Sequence, residues 1–581
     1  MNMKTIRNTQ KSKPTGGALI LILILSAIAL ALLAGAMSWS ASSTRLTYRA
    51  IQYNQSVSAA EAATEKVVSR INQDFISGGE LLVSNNLGYY RQNTVPASSD
   101  APYWNNWQFD DGNGNAGDTY VQRTPGTPYV VVGSTYAGLK GYTSTYTIVS
   151  HAQETASPQT VSGGVLQQLQ LANIPIFQFA MYSSGELEIS CGQPFKVTGR
   201  VHSNGQLYVE PDSALTFLSS VTAVLSVLFQ RDPLDTRGAP SGTVVYAQTN
   251  QPTFPVAALT LPIGAANTPQ AVREIIEPPP GGELATSPLG RLRYYNLCDL
   301  VLVATNSGVI ATSGHFNNFT TLISTNDLST FVSLGNSFKD WREGKTVQPI
   351  DINIGNLAAW SQTNTSLRYS VIASNLILSS IYIVDNRTLP ATSLSAVRVY
   401  NGTTLPPNGL TVATGRPLYV WKDYNQYNAA NLQTTNTSTT KPASLAADAI
   451  TILSDSWTDG NSTSALASRV ASSTTVNAAI LTGAVDTTSG HYSGGMENFP
   501  RFLESWSSAT LWYNGSMIKM FPSLYATNVW GQANVYNPPT RKWAYDVNFD
   551  NPLKLPPQTP SLQQVLRGQW ATVTAGQNTA P

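Results

Sequence analysis

The sequence predicts a mainly β protein carried on one long N-terminal α-helix, with a β-solenoid-like body preferred and β-sandwich modules as the alternative. Three observations predict it. An uncharged apolar run fills Ala18 to Met37, an amphipathic stretch without Pro or Gly continues it to Ile76, and from Glu80 onward helical periodicity gives way to short β-rich runs. Those runs are punctuated by Gly, Asn, Pro and Ser, and the chain holds 42 Gly and 34 Pro. Charged residues are 12% of the 581, where a soluble domain averages about 25%. The net charge of +1 offers no broad basic field for phosphates, which excludes nucleic acid as a main partner.

Residues 1–17 form a basic leader with Lys4, Arg7, Lys11 and Lys13 and no acid. The apolar run after it is long enough as a helix to span the roughly 30 Å hydrocarbon core, and the leader should stay on the cytoplasmic side. Two plain readings are a signal peptide cut at Ala34-Gly35-Ala36 and an uncleaved signal anchor. A third follows from what comes next. Leu46, Ile51, Val57, Ala60, Ala63, Val67, Ile71 and Phe75 recur at helical intervals, with Arg45, Arg49, Glu61, Glu65, Lys66 and Arg70 between them. One helix from Ala18 to Phe75 would be about 90 Å long and would stop at Ser77-Gly78-Gly79.

The segment Gly16-Gly17-Ala18-Leu19-Ile20-Leu21-Ile22, followed about forty residues later by Ala59-Ala60-Glu61-Ala62-Ala63, resembles the N-terminus of type IV pilins and pseudopilins. Within that superfamily it most resembles PilX-type minor pilins and K-type minor pseudopilins. The resemblance implies that a prepilin peptidase cuts after Gly17 or Gly16, leaving Ala18 or Gly17 as the mature N-terminus. It also implies that Leu19, Ile20, Leu21, Ile22, Leu23, Ile24, Leu25, Ile28, Leu30, Leu32 and Leu33 first anchor the chain in the inner membrane and then pack among other pilins or pseudopilins. Most major pilins carry Glu at the fifth mature position; here that position is Ile22 or Leu21. A repeating subunit would miss that contact, whereas a subunit capping a filament has no neighbour to make it with. Size points the same way, because the rest of the chain packed as one body would have a radius of gyration of about 23 Å.

After the helix, expected at 18–77, a small β-rich module is expected at 80–170 and a main β-rich body at 172–440. A C-terminal β section with a Pro-rich tail should fill 441–581, the tail from Asn551 strapping the surface or fraying. The solenoid preference rests on phrases that read as successive rungs: Leu187 to Ile189, Phe195 to Val201, Leu207 to Val209 and Ala214 to Phe217, each closed by a Gly or Asn turn.

Site candidates are few. Asp111, Asn113, Asn115 and Asp118 alternate like a Ca2+ loop, but Ala116 and Gln122 stand where Gly and Glu are usual, so an irregular turn is preferred to a metal site. The overlapping Gly112-x-Gly114-x-x-Gly117 lacks the flanking strand and helix of a dinucleotide site. Cys191 and Cys298 are a candidate disulfide or two buried thiols. The acids Asp299, Asp340, Glu343, Asp351 and Asp385 have no spacing that forces them together, and there is no nucleophile elbow, so the sequence predicts no catalysis and no cofactor. The 26 Tyr and 12 Trp are candidate stacking surfaces for a surface carbohydrate or protein ligand. The expected function is a minor pilin or pseudopilin-like envelope protein, its bulk exported to the periplasm or cell surface. A secreted or anchored β-solenoid adhesin is the alternative, and a β-helix polysaccharide-active enzyme ranks third.

Overall fold

The computed structural model describes residues 17–124, 126, 130–131, 136, 138–157, 160–316, 323–363, 377–426, 428–574 and 576–578. One long helix precedes a large β-rich body of several sheets, as the sequence predicts. Helix α1 (Gly17–Asn85) runs past the expected stop and turns at Gly79, whose φ of +68° is a left-handed conformation that glycine adopts without penalty. The sheet that receives it is antiparallel, with strands β1 (Trp107–Asp110), β2 (Tyr120–Thr124), β3 (Val130–Val131), β4 (Lys140–Glu154) and β5 (Ser162–Pro175). β4 pairs with the other four, Trp107 lying opposite Glu154 and Tyr142 opposite Asn173.

The free side of β5 is taken by the last strand of the chain, Ser561–Val573, with Leu562 opposite Ile174. This corrects two expectations. Within the tail after Asn551, expected to strap the surface or fray, Ser561–Val573 is instead a paired strand of the first sheet. The 80–170 module and the 441–581 section are also not separate units, because residues 176–560 are inserted between two neighbouring strands of one sheet. The register slips between Arg567 and Trp570, which breaks the alternation that would have marked the strand in the sequence.

Within the insertion the chain first coils. Strands β6 (Met181–Ser183), β7 (Leu187–Ile189) and β8 (Phe195–Val197) are followed by β9 (Val201–Ser203), β10 (Leu207–Val209) and β11 (Ala214–Phe217). Then come β12 (Val221–Ala223), β13 (Val227–Leu228) and β14 (Thr243–Tyr246). All pair in parallel with the strand one turn away: Met181 aligns with Val201 and Val221, Leu187 with Leu207 and Val227. The turns are tight enough to need glycine at Gly205, where a Cβ would lie 2.9 Å from the Glu186 amide nitrogen.

The chain then crosses the molecule and coils back. Parallel strands Leu300–Thr305, Ser380–Asp385, Leu410–Thr414, Ala443–Ala447, Ala479–Ala484 and Met517–Pro522 lie side by side in that order, and the last pairs with β6, Met517 facing Met181. The resulting ten-stranded sheet is therefore joined in its middle by strands far apart in sequence. A second ten-stranded sheet runs from Val332–Ser333 to Thr540–Tyr545.

Both faces of the first of these sheets are covered, as parallel sheets require. Leu300, Leu302, Ile381, Ile383, Val412, Leu445 and Ile480 point into the coil interior. The alternate residues Val301, Tyr382, Ala413, Ala446, Leu481 and Ile518 point outward beneath Leu259, Leu261, Val272, Ile275, Tyr294 and Leu562. At the far end, helices Thr325–Phe331 and Ile354–Thr363 bury Leu328, Phe331, Leu357 and Trp360 over the interior.

Candidate functional site

The feature that sets this chain apart from a free-standing β protein is the contrast between the two halves of α1. From Leu19 to Leu33 every large apolar side chain is at least half exposed, and Met37 and Trp39 continue the series. The first charges on the helix are Arg45 and Arg49. Residues 17–55 make almost no contact with the rest of the chain, and at 1.5 Å per residue they project by about 58 Å. This part of α1 is long and apolar enough to cross a membrane.

From Ser56 onward the same helix is seated on the sheet. Ala59, Ala60 and Ala63 pack on Trp107, Phe109, Ala152 and Val165, and small residues let the backbones approach. Gly163 makes the closest approach: a Cβ there would lie 2.9 Å from the Val57 nitrogen. Ser56 Oγ donates to the Val161 carbonyl at 3.0 Å. Val67, Val68, Ile71 and Phe75 then pack on Val121, Tyr146, Ile148, Leu169 and Leu171.

Polar contacts fix the register along this seat. Lys66 pairs with Asp100 at 2.7 Å, and Glu65 with Arg567 of the last strand at 2.8 Å. Buried Asp74 accepts from Tyr90 Oη at 2.6 Å and Asn86 Nδ2 at 2.8 Å, with Arg70 at 3.2 Å. Burial, reinforced by that carboxylate, pushes the Tyr90 phenol far above its ordinary range. Past the seat, Glu80 accepts from Arg123 Nε at 2.5 Å and Tyr146 Oη at 2.9 Å. A 510 Å³ groove runs beside the helix, lined by Glu65, Ser69, Asn72, Thr260, Gln563 and Arg567 among others.

Of the processing residues, Gly16 lies outside the described residues, as does the basic leader before it. Gly17 and Ala18 open the helix and are exposed. The loop at Asp111 is an Asx-type turn. The Asp111 carboxylate accepts from the Asn113 and Asn115 amides at 2.8 and 3.1 Å and from both Asn side-chain nitrogens at 3.2 and 2.8 Å. Burial opposes ionisation there, yet these bonds, led by Asn115, hold the carboxyl below its usual range. Asn113 and Asn115 thus turn their nitrogens, not their oxygens, toward Asp111, and Asp118 makes no contact with its carboxylate. Among the described residues no group of three or more His, Cys, Asp or Glu is placed to hold a metal ion. The candidate disulfide is corrected: Cys191 and Cys298 are both free and buried, the first in the coil interior and the second in the core on the other side of the sheet.

Each of the dispersed acids has its own partner, and Asp340 and Glu343 also lie together, the Glu343 amide donating to Asp340 Oδ1 at 2.9 Å. Asp299 accepts from Ser379 and Ser380, Asp340 from Tyr419 Oη at 2.7 Å, Glu343 pairs with Arg501, Asp351 with Arg398 and Asp385 with Arg387. His202 is fully buried, between Thr222 Oγ1 and Asn204 Oδ1 at 2.9 Å each, and burial lowers it to about 4.

Two carboxylates that sequence reasoning did not single out stand on successive coils. Burial raises Glu188 to about 7, against the Thr487 hydroxyl that donates to both its oxygens. Burial, then the charge of Glu188, raises Glu210 to about 8, although Arg237 and Arg231 approach to 3.6 and 3.9 Å. The cavity beside Glu188 is 30 Å³, room for about one water and too small for a sugar ring.

No family model matches the chain, and no curated protein matches it. Among solved structures the competence-associated pilin ComZ from Thermus thermophilus is matched over 90% of this chain and 97% of that one, at 10% identity and a TM-score of 0.20. At that TM-score the two chains share no overall superposition, so the likeness adds nothing to the geometry of α1 and its sheet.

Proposed function

We propose that this protein is a minor pilin or pseudopilin-like envelope protein that joins or caps a type IV pilus or type II secretion-like filament and presents a large β body. The observation that carries the reading is the division of α1: an apolar half that projects free, continuous with an amphipathic half seated on an antiparallel sheet. A free-standing signal peptide has no reason to continue as one rigid helix into a folded seat.

On this reading prepilin peptidase cuts after Gly17 or Gly16, and Leu19 to Leu33 anchor the chain in the inner membrane before packing among other pilins. The missing Glu at Leu21 or Ile22 and the insertion of 176–560 into the sheet favour a capping place over a repeating one. The work is assembly and presentation, toward a surface carbohydrate or protein ligand, and calls for no catalytic group and no cofactor.

N-terminal sequencing of the mature protein, isolated from cells carrying a prepilin peptidase, tests the reading. A start of Ala-Leu-Ile-Leu or Gly-Ala-Leu is expected. A start at Met37 would sink it and favour the secreted adhesin, with which the β body agrees equally.

A further inference from the structure

The two outer ends of the coiled body are finished differently. At one end, helices Thr325–Phe331 and Ile354–Thr363 close the interior. At the other, the last turn is β12, β13 and β14. Only β12 is covered: the Ala223 amide donates to the Thr253 carbonyl at 3.2 Å, the Thr253 amide to Val221 at 2.9 Å and the Val256 amide to Ala223 at 3.1 Å. β13 pairs only with β10, and β14 only with β11, so among the described residues the outer edges of both are bare.

The interior residues of this turn are also unfinished. Leu207, Leu215 and Phe217 are fully buried, whereas Val227, Val244 and Tyr246, aligned one turn further out, are only partly buried. Beside them Leu225 and Phe229 are each 57% exposed and Val245 52%. None of these residues is charged. A bare strand edge next to an exposed apolar patch is a pairing site unless something covers it, and coil proteins ordinarily close both ends.

What can cover it is limited by shape. An occupant has to meet two adjoining sheet edges and the open interior together, which a single extended peptide does not do and another coil end does. The chain itself contains one meeting of coil ends, in parallel pairing. The opposite side of the first coil is met by Met517–Pro522 against β6, by Trp543 with its ring 5.6 Å from Phe195, and by the Tyr545 amide donating to Thr198 Oγ1 at 2.7 Å. Because helices close the far end of the body, a head-to-tail match between copies is excluded, which leaves the open end to meet itself. The loop joining β13 to β14 carries Arg231, Asp232, Asp235 and Arg237, whose charges cancel, and its arginines are paired within the chain with Asp212 and Asp235, so two copies approach without net repulsion, and self-matching surfaces form closed two-fold dimers.

We propose that the open coil end, with β13, β14, Val227, Val244, Val245 and Tyr246 at its centre, is a self-association surface on which a second copy of this chain docks end to end about a two-fold axis. The proposal goes beyond the pilin-like reading and does not rest on it.

The test uses the full chain in detergent. Its mass by light scattering is expected to be that of a dimer at micromolar concentration, falling to a monomer in Val245→Lys with unchanged far-UV circular dichroism. Val245 is half exposed, so the change spares the interior, and Phe229→Asp provides a second, independent variant. Because Cys191 and Cys298 are buried, Val245→Cys introduces an accessible thiol, which a short bismaleimide should join into covalent dimers. Leu284→Cys, 70% exposed away from this end, should stay single. A monomeric wild type overturns the proposal, including the case in which a different chain is found on this end. So does a dimer that survives both Val245→Lys and Phe229→Asp, which would place the contact on α1.

Discussion

Glu188 and Glu210 make the stability of the body depend on pH in a direction opposite to most carboxylates. Their folded values of about 7 and 8 lie above the ordinary value of 4.5, as does that of Glu504 at about 7, in each case first because burial disfavours the charge. A group raised in this way contributes stability that is fully present below its unfolded pKa and is lost as pH rises through the folded one. The thermal midpoint should therefore fall between pH 5 and pH 8, and Glu188→Gln, which keeps the Thr487 contact without a charge to bury, should flatten that slope. Differential scanning calorimetry across this range checks it, and an unchanged slope in the variant would show that other groups set the dependence. These residues were not legible beforehand because nothing in their spacing marks them. Leu187-Glu188-Ile189 and Leu207-Tyr208-Val209-Glu210 read as ordinary strand, and only the stacking of turns, with Leu187 on Leu207, brings the two carboxylates near each other.

At the scale of elements, α1 was the most legible part, since its apolar and amphipathic halves are written continuously in the sequence and need no distant partner to be recognised. Its seat was legible on the helix side, as Ala59, Ala60, Ala63, Val67, Ile71 and Phe75, and silent on the other. Gly163 carries no signal of the close approach it makes. Gly163→Val should push the helix off the sheet by placing side-chain atoms where Val57 stands, and Phe75→Ala, at 1% exposure, should cost about 3–5 kcal/mol. Proteolysis of α1 beyond Ser56 checks both, and resistance equal to wild type would mean that the helix is held elsewhere. The short strands from Leu187 to Phe217 were legible because each is local and bounded by turn residues. The helices Thr325–Phe331 and Ile354–Thr363 were not, being brief and set among strands whose composition they share.

For the whole molecule, the scarcity of charge has a structural counterpart. Several of the ions present are held in buried pairs such as Arg398 with Asp351, or Arg273 with Asp448. Removing one member of such a pair typically costs about 3–5 kcal/mol. What no local pattern could reveal is closure: Met517–Pro522 against β6, and Ser561–Val573 against β5, join segments hundreds of residues apart. Deleting residues 561–581 should therefore damage the beginning of the chain more than its end. The segment 56–175 should become protease-sensitive and the protein prone to aggregate, as limited digestion and light scattering would show. A deleted chain that yields the same resistant N-terminal core would contradict this.

The closing strand also puts an order in time on the molecule. Synthesis delivers α1 and β5 before the insertion and Ser561–Val573 after it, so for the whole interval in which the insertion is being made one edge of the first sheet waits unpaired. A chain cut short anywhere in those residues never fills that edge. The seat of α1 is thus finished only once Ser561–Val573 has been made and has paired with β5.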